Sequence, residues 1–315
     1  MIAKQFKTLD EQIDIMRSKG MTIEDDKYAK EVLLRENYFF LNGYRHLFVD
    51  ENKKYKEGVT FEELYSLFLF DRQLRNILFK YLLVIENNLK SIFSYQLSKK
   101  YGYREKDYLK DKNFTTAPEK QAQLNDLLRK MKRQIKVNGS QHTATEHYAS
   151  NYGYIPLWIL VKVLSFGIIS ELYQVLKIED QKEIASVYGI DYETLVVYLP
   201  ILANYRNLCA HEDILYENKT QKEIDDTVYH QLLRIPKEED IYTKGKNDLF
   251  ALIIIMKQLL QIEEFKNMTL EIDNVIETLN YNLNSINITD VLNRMGFPFN
   301  WKDLSRIERS IDDDE

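Results

Sequence analysis

Thr60-x-x-Glu63 is the feature that most narrows what this chain can fold into. It reads as a capping box, in which a threonine hydroxyl and a glutamate carboxylate each take up a free backbone N–H at a helix start. It opens FEELYSLFLFDRQLRNILFKYLLVIENNLKSIFSYQLSKKY. There Leu64, Leu67, Leu74, Leu78, Leu82, Ile85, Leu89 and Ile92 return at three- and four-residue steps, the spacing of one helix face. Gly102 supplies a C-terminal stop. The stretch is therefore one very long helix, or two joined at a bend.

Further start signals recur. Thr116-x-x-Glu119, with Pro118 in the first turn, opens a helix expected to run to about Ile135. Thr220-x-x-Glu223 opens another that has to end before Pro236. Helical patterns also cover 156–176, 192–216, 248–262 and 270–283, and a short one, TDVLNRM, is stopped by Gly296 and Pro298. No two alternating runs are joined by a tight Asn-Gly or Asp-Gly turn. With 10 Gly and 5 Pro in 315 residues, the expectation is an all-α fold. Residues 136–153 read as a long polar loop, and the DDDE run as a frayed tail.

Composition excludes several classes. At 44% hydrophobic and 29% charged residues the chain is that of a soluble globular protein. Its one cysteine rules out an internal disulfide framework and suits the cytoplasm. MIAKQFKTLDEQ has no apolar core of a secretory signal. The best membrane candidate, 154–170, falls short of the roughly 20 residues a spanning helix needs and carries Lys162 in its middle, so no membrane partner is expected. The net charge of −6 is unevenly spread: 51–150 carries 19 Lys and Arg against 12 Asp and Glu, a basic segment in an acidic protein.

NYRNLCAHEDILYE (204–217) carries the sharpest candidate chemistry. Arg206 and His211, five residues apart on a helix, project about 140° from each other and flank a shared edge. Asn207 lies one turn before His211, placed to orient the imidazole. An imidazole can deprotonate a ribose 2′-hydroxyl or protonate a leaving 5′-oxygen, and a guanidinium can hold the charge of a five-coordinate phosphorane. No metal or other cofactor is needed, because the nucleophile belongs to the RNA. One histidine cannot readily be both acid and base, so a two-fold dimer is expected to supply two. Against this, 13 Arg and 5 His make the bare spacing cheap, and a capping histidine beside a surface arginine looks the same.

Asp71, Arg72 and Arg75 interrupt the apolar face of the long helix, as does Glu86. Asp71 and Arg75 at i, i+4 read as a structural ion pair, with the alternative that Arg72 or Arg75 helps line an RNA cleft. RKMKRQIK places Arg129, Lys130, Lys132, Arg133 and Lys136 along one broad helix side, either a solvated face or a phosphate-tracking one. Lys99, Lys100 and Arg104 alternate with Tyr101 and Tyr103, which adds stacking and charge. His142 and His147 do not have zinc-site spacing, Gly139-Ser140 is no phosphate loop, and Cys209 reads as packing.

ENYFFLNGYRHLF, LYSLFLFDRQLR, IPLWILVKVLSFGIISELY, YRNLCAHEDILY and MGFPFNW occur in the order that resembles the Abi-like family, the AbiD/AbiF group of bacterial abortive-infection proteins. That family looks like a branch of the HEPN superfamily, and the resemblance implies a HEPN-like helical bundle with additional helices. It implies an N-terminal helical segment (1–58), a HEPN-like core (59–235) with a basic helix and loop insertion at about 103–153, and a C-terminal helical extension (236–315). It further implies a metal-independent endoribonuclease acting as a homodimer, with Arg206, Asn207 and His211 matching the family's arginine, polar residue and histidine. RNA is then the substrate, and a small structured antitoxin RNA a candidate restraint. Asp213 stands where some HEPN toxins carry a modifiable tyrosine, so that switch is not implied. The rival is a non-catalytic RNA-binding or phage-sensing protein that keeps the same shell.

Overall fold

The computed structural model describes residues 5–138 and 142–308, so the DDDE tail and Gly139-Ser140 lie outside the described residues. Three short helices come first: α1 (Leu9–Ser18), α2 (Asp26–Glu36) and α3 (Tyr38–Asn42). Then α4 (Phe61–Tyr101) runs as a single helix with no glycine or proline inside it. The Thr60 hydroxyl accepts the Glu63 amide at 3.2 Å and the Glu63 carboxylate accepts the Thr60 amide at 3.3 Å, while Gly102 ends the helix at φ 90°. At 1.5 Å per residue α4 is about 60 Å long, the axle of the molecule. Its expected face is buried from Leu64 to Leu89, and the helices Ile262–Asn282, Leu157–Val163 and Tyr192–Ala210 pack along it.

The remaining helices wrap that axle. They are α5 (Glu105–Tyr108), α6 (Gln121–Asn138), α7 (Thr143–Tyr152), α8 (Leu157–Val163), α9 (Phe166–Val175), α10 (Ile178–Ala185), α11 (Tyr192–Ala210), α12 (Val228–Leu232), α13 (Leu249–Leu259), α14 (Ile262–Asn282) and α15 (Ile288–Arg294). One hydrophobic core extends from Ile13 to Leu304, so all three chain segments feed it. The protein is all-α. A two-residue ribbon, Lys237–Glu238 paired with Ile241–Tyr242, turns through Glu239 and Asp240 at positive φ. Among the described residues no helix is long and apolar enough to cross a membrane.

Several boundaries differ from expectation, each for a local reason. Thr116 forms no cap: Pro118–Lys120 is a 3₁₀ turn and the α-helix begins at Gln121. Thr220-x-x-Glu223 opens no helix, because Thr220 and Ile224 donate their amides to Asn247 and Lys246 carbonyls at 2.8 Å each. The helix there is α12, capped by Thr227 and His230. The apolar run 156–176 is split, since the Ser165 hydroxyl accepts the Ile168 amide and restarts the chain as α9. The polar stretch 136–153 is largely helix, with the His142 ring accepting the Ala144 amide to cap α7. The helix expected from 270 begins at Ile262. Finally, α11 stops at Ala210 rather than at 216.

Candidate active site

The early end of α11 is where the candidate site is made. His211 has left the helix (φ −96°, ψ 4°), with its amide still bonded to the Asn207 carbonyl at 3.0 Å. Glu212 then takes a left-handed φ of 57° and turns the chain away from the axis. The next residues are captured by α4. Asp71 accepts the Leu215 amide at 3.1 Å and the Tyr216 amide at 2.7 Å. Arg75 donates to Asp71 and, at 3.2 Å, to the Asp213 carbonyl. Two amides claimed by a carboxylate cannot continue an α-helix.

Tyr44 closes this network from the N-terminal segment. Its hydroxyl donates to Asp71 at 2.7 Å and accepts from Arg75 at 3.0 Å, and its ring stacks on Tyr216 with centroids 6.0 Å apart. Asp71 and Arg75 are both buried. Burial pushes the Asp71 carboxyl upward in pKa, while Arg75, Tyr44 and the two amides pull it back. Of the two readings of Asp71 and Arg75, the contacts are those of a structural ion pair, and one that fixes the backbone just after His211.

Arg206 sits one and a half turns before His211, half-buried rather than in the core. Its Nε donates to Glu86 at 3.1 Å, and its guanidinium lies 5.6 Å from the Phe79 ring centre. Glu86 also accepts from Lys90 at 2.7 Å. The His211 ring is exposed. The amide-to-imidazole hydrogen bond expected of Asn207 is not formed, and what joins the two residues is backbone. Cys209 is buried, and burial pushes its thiol up to about 12, so it does not supply a thiolate at neutral pH.

His211 opens onto a cleft of about 870 Å³ between the loop after α11, α4 and the α2–α3 region. Arg72, the third polar residue of FDRQLR, lines it, held by Glu36 through two contacts of 3.0 and 2.5 Å. Arg35 and Arg45 line it too, with Phe39 (73% exposed) and Phe40 at its rim. Nothing in the spacing of ENYFFLNGYRHLF assigns these residues a role; the one signal there is an aromatic pair bracketed by arginines.

The basic residues of α6 are not part of this cleft. Lys130 is paired with Glu171 at 2.8 Å and Arg129 with Asp126, while Lys132, Arg133 and Lys136 are exposed and have no ion pair among the described residues. α6 packs on α9 and near the far end of α4, where Leu97 and Met131 line a common hollow. Arg75 and Leu97 lie 22 residues apart on α4, so roughly 33 Å separates the two positions along the helix. Lys100 and Tyr101 are likewise committed, both bonding Asp180. No group of three or more His, Cys, Asp or Glu placed to hold a metal ion occurs among the described residues.

The folded arrangement defines a helical bundle whose candidate site is a helix end locked by a buried ion-pair network. The family model for Abi-like proteins matches residues 31–217, more than half of the chain, and takes in every residue of that network. The protein belongs to the Abi-like family. No curated protein and no solved structure matches it.

Proposed function

We propose that this protein is a metal-independent endoribonuclease of HEPN type, acting as an effector in bacterial abortive-infection defence. The observation that carries the reading is the state of His211: an exposed imidazole at an unwound helix end, its backbone fixed by Asp71 and Arg75, beside an arginine-lined cleft. Fixed backbone with a free ring is what a proton-transfer group needs.

In the proposed reaction one imidazole takes the proton of a ribose 2′-hydroxyl as its oxygen attacks phosphorus. A second imidazole, from the other protomer of a two-fold dimer, protonates the departing 5′-oxygen. Arg206 exchanges Glu86 for the phosphorane oxygens, a charge-assisted contact. Asn207 orients the ring or the substrate once RNA is bound. Arg72 and the basic face of α6 (Arg129, Lys130, Lys132, Arg133, Lys136) contribute charge to substrate or to a small structured restraining RNA. The cytoplasm is the compartment this assigns.

His211→Ala and Arg206→Ala are each expected to lower RNA cleavage about 10²–10³-fold while melting within a few degrees of wild type. Wild-type cleavage persists in EDTA and leaves 2′,3′-cyclic phosphate ends. RNA bound without turnover, with both variants indifferent, selects the non-catalytic rival instead.

A further inference from the structure

The far end of α4 carries a second surface that the proposed chemistry does not use. Rings from three separated segments meet there in sequence. Trp158 lies 5.7 Å from Tyr103, Tyr103 lies 5.7 Å from Tyr154, Tyr154 lies 6.3 Å from Tyr152, and Tyr152 lies 5.3 Å from Tyr148. In a core such a chain would be ordinary packing. Here Tyr152 is 57% exposed, and Trp158 and Tyr103 are each about two-fifths exposed.

The ladder leads into a groove of about 460 Å³ whose rim includes Tyr95 (65% exposed) and Lys99, with Tyr103 and Trp158 as its other wall. Ser91, Ser94 and Ser98 line the α4 side of the groove. The Ser98 hydroxyl is buried and has no hydrogen-bond partner among the described residues. An unsatisfied hydroxyl beside aromatic walls is a feature that a bound polar edge would complete.

Charge around the rings is positive. Arg104 lies 5.0 Å from the Tyr154 ring centre and 5.8 Å from that of Tyr103. Among the carboxylates of these segments, Asp107 pairs with Lys110 at 3.2 Å and Glu105 accepts the Ile155 amide, while Glu146 on α7 is exposed and is outnumbered by the cations. α6, with Lys132, Arg133 and Lys136 exposed, packs against both α7 and α8, the helices that carry Tyr148, Tyr152 and Trp158. Ring faces with cations beside them are the recognition elements of single-stranded nucleic acid, whose unpaired bases stack while phosphates track the charge. A protein interface would instead deplete lysine around its rings.

We propose that Trp158, Tyr103, Tyr152 and Tyr95, with Arg104 and Lys99, form a stacking platform for single-stranded nucleic acid, separate from the His211 cleft. It stands whether or not His211 cuts RNA. The test is a binding titration of the full-length chain with fluorescein-labelled 12-nucleotide oligouridylate. One form is 2′-O-methylated RNA and the other DNA, and neither offers a 2′-hydroxyl to cleavage.

Binding is expected to quench Trp158 emission, with buried Trp301 as the constant background, and to weaken as salt rises. Tyr103→Ala/Trp158→Ala weakens it at least about tenfold, and Tyr103→Phe/Trp158→Phe restores it. Tyr95→Ala/Tyr152→Ala gives the same direction of change at positions too exposed to threaten folding. A preference between the two oligonucleotides names the natural strand. The proposal is overturned if neither is bound, if a 12-base-pair duplex binds as tightly, or if ring removal abolishes self-association in sedimentation while leaving oligonucleotide binding unchanged.

Discussion

Asp71 and Asp248 are both carboxylates buried near a helix, yet their surroundings are opposite. Asp71 lies within the family-matched span and touches a guanidinium, a phenol and two amides. Asp248 lies beyond that span, at the start of α13, and is held by backbone alone: Gly245 donates to both its oxygens at 3.1 and 3.0 Å, and Ala251 donates at 3.1 Å. Lys219 and Lys244 act on it only at a distance. Amides stabilise an anion without neutralising it, whereas a contacting cation does both. The family span therefore hangs its site on a compensated charge, and the C-terminal extension keeps an uncompensated one.

Asp71→Ala puts that contrast under the greatest load. It leaves Arg75 buried without its partner and frees the amides of Leu215 and Tyr216, so about 3–5 kcal/mol of stability should be lost in urea unfolding. Any cleavage activity should fall with it, because the backbone after His211 loses its anchor. A loss below about 1 kcal/mol would mean the network is decorative. On the other side, Gly296→Ala presses on Asp248 directly. Gly296 has φ 77°, and a Cβ there would come within 2.0 Å of the Asp248 carboxylate, which is too buried to swing away. Strain and overpacking together should cost about 2–4 kcal/mol, measured the same way. Cleavage per folded molecule should stay unchanged, since the site lies on the other carboxylate's side.

The same residues mark how far the fold is legible in the sequence. Thr60-x-x-Glu63 and Gly102 bracket α4 because the Thr60 and Glu63 amides stay with the cap, even though the other Glu63 oxygen takes the Asn284 and Ser285 amides. Thr220-x-x-Glu223 is an equally good cap on paper, but the amides of Thr220 and Ile224 go to residues 246–247, a partner no local pattern contains. The end of α11 is hidden from the sequence for the same kind of reason: Asp71 takes amides 144 and 145 residues away. Arg206 and His211 are legible as a pair because their chemistry is local in sequence. The cleft around His211 is not, since Arg35, Phe39 and Phe40 come from α2 and α3, Arg45 from the turn after them and Arg72 from α4. Likewise Lys99, Arg104, Tyr101 and Tyr103 suggest stacking, but the ladder needs Tyr154 and Trp158, which only folding brings there.

The smallest effect concerns the electrostatic side of the contrast. Burial pushes Asp248 up from an ordinary 3.8 to about 6, with its amides pulling the other way. Between those values the folded state binds the proton more readily than the unfolded chain. This group's contribution is therefore full below about pH 4, is lost as pH rises toward 6, and is constant above that. The loss is on the order of 2 kcal/mol, since each tenfold change in proton affinity is worth about 1.4 kcal/mol and relaxation around the anion recovers part of it. Glu36, Glu271 and Asp226 are held low by cations and slope the opposite way, so wild type alone does not isolate it. Asp248→Asn does, because the variant lacks the titrating group and keeps an oxygen for the Gly245 or Ala251 amide. Its stability relative to wild type should climb between pH 4 and pH 6 and then level off. A flat difference would show that two backbone donors making three hydrogen bonds suffice to hold a buried carboxylate ionised, and that Asp71 did not need its arginine for charge but only for reach to Asp213.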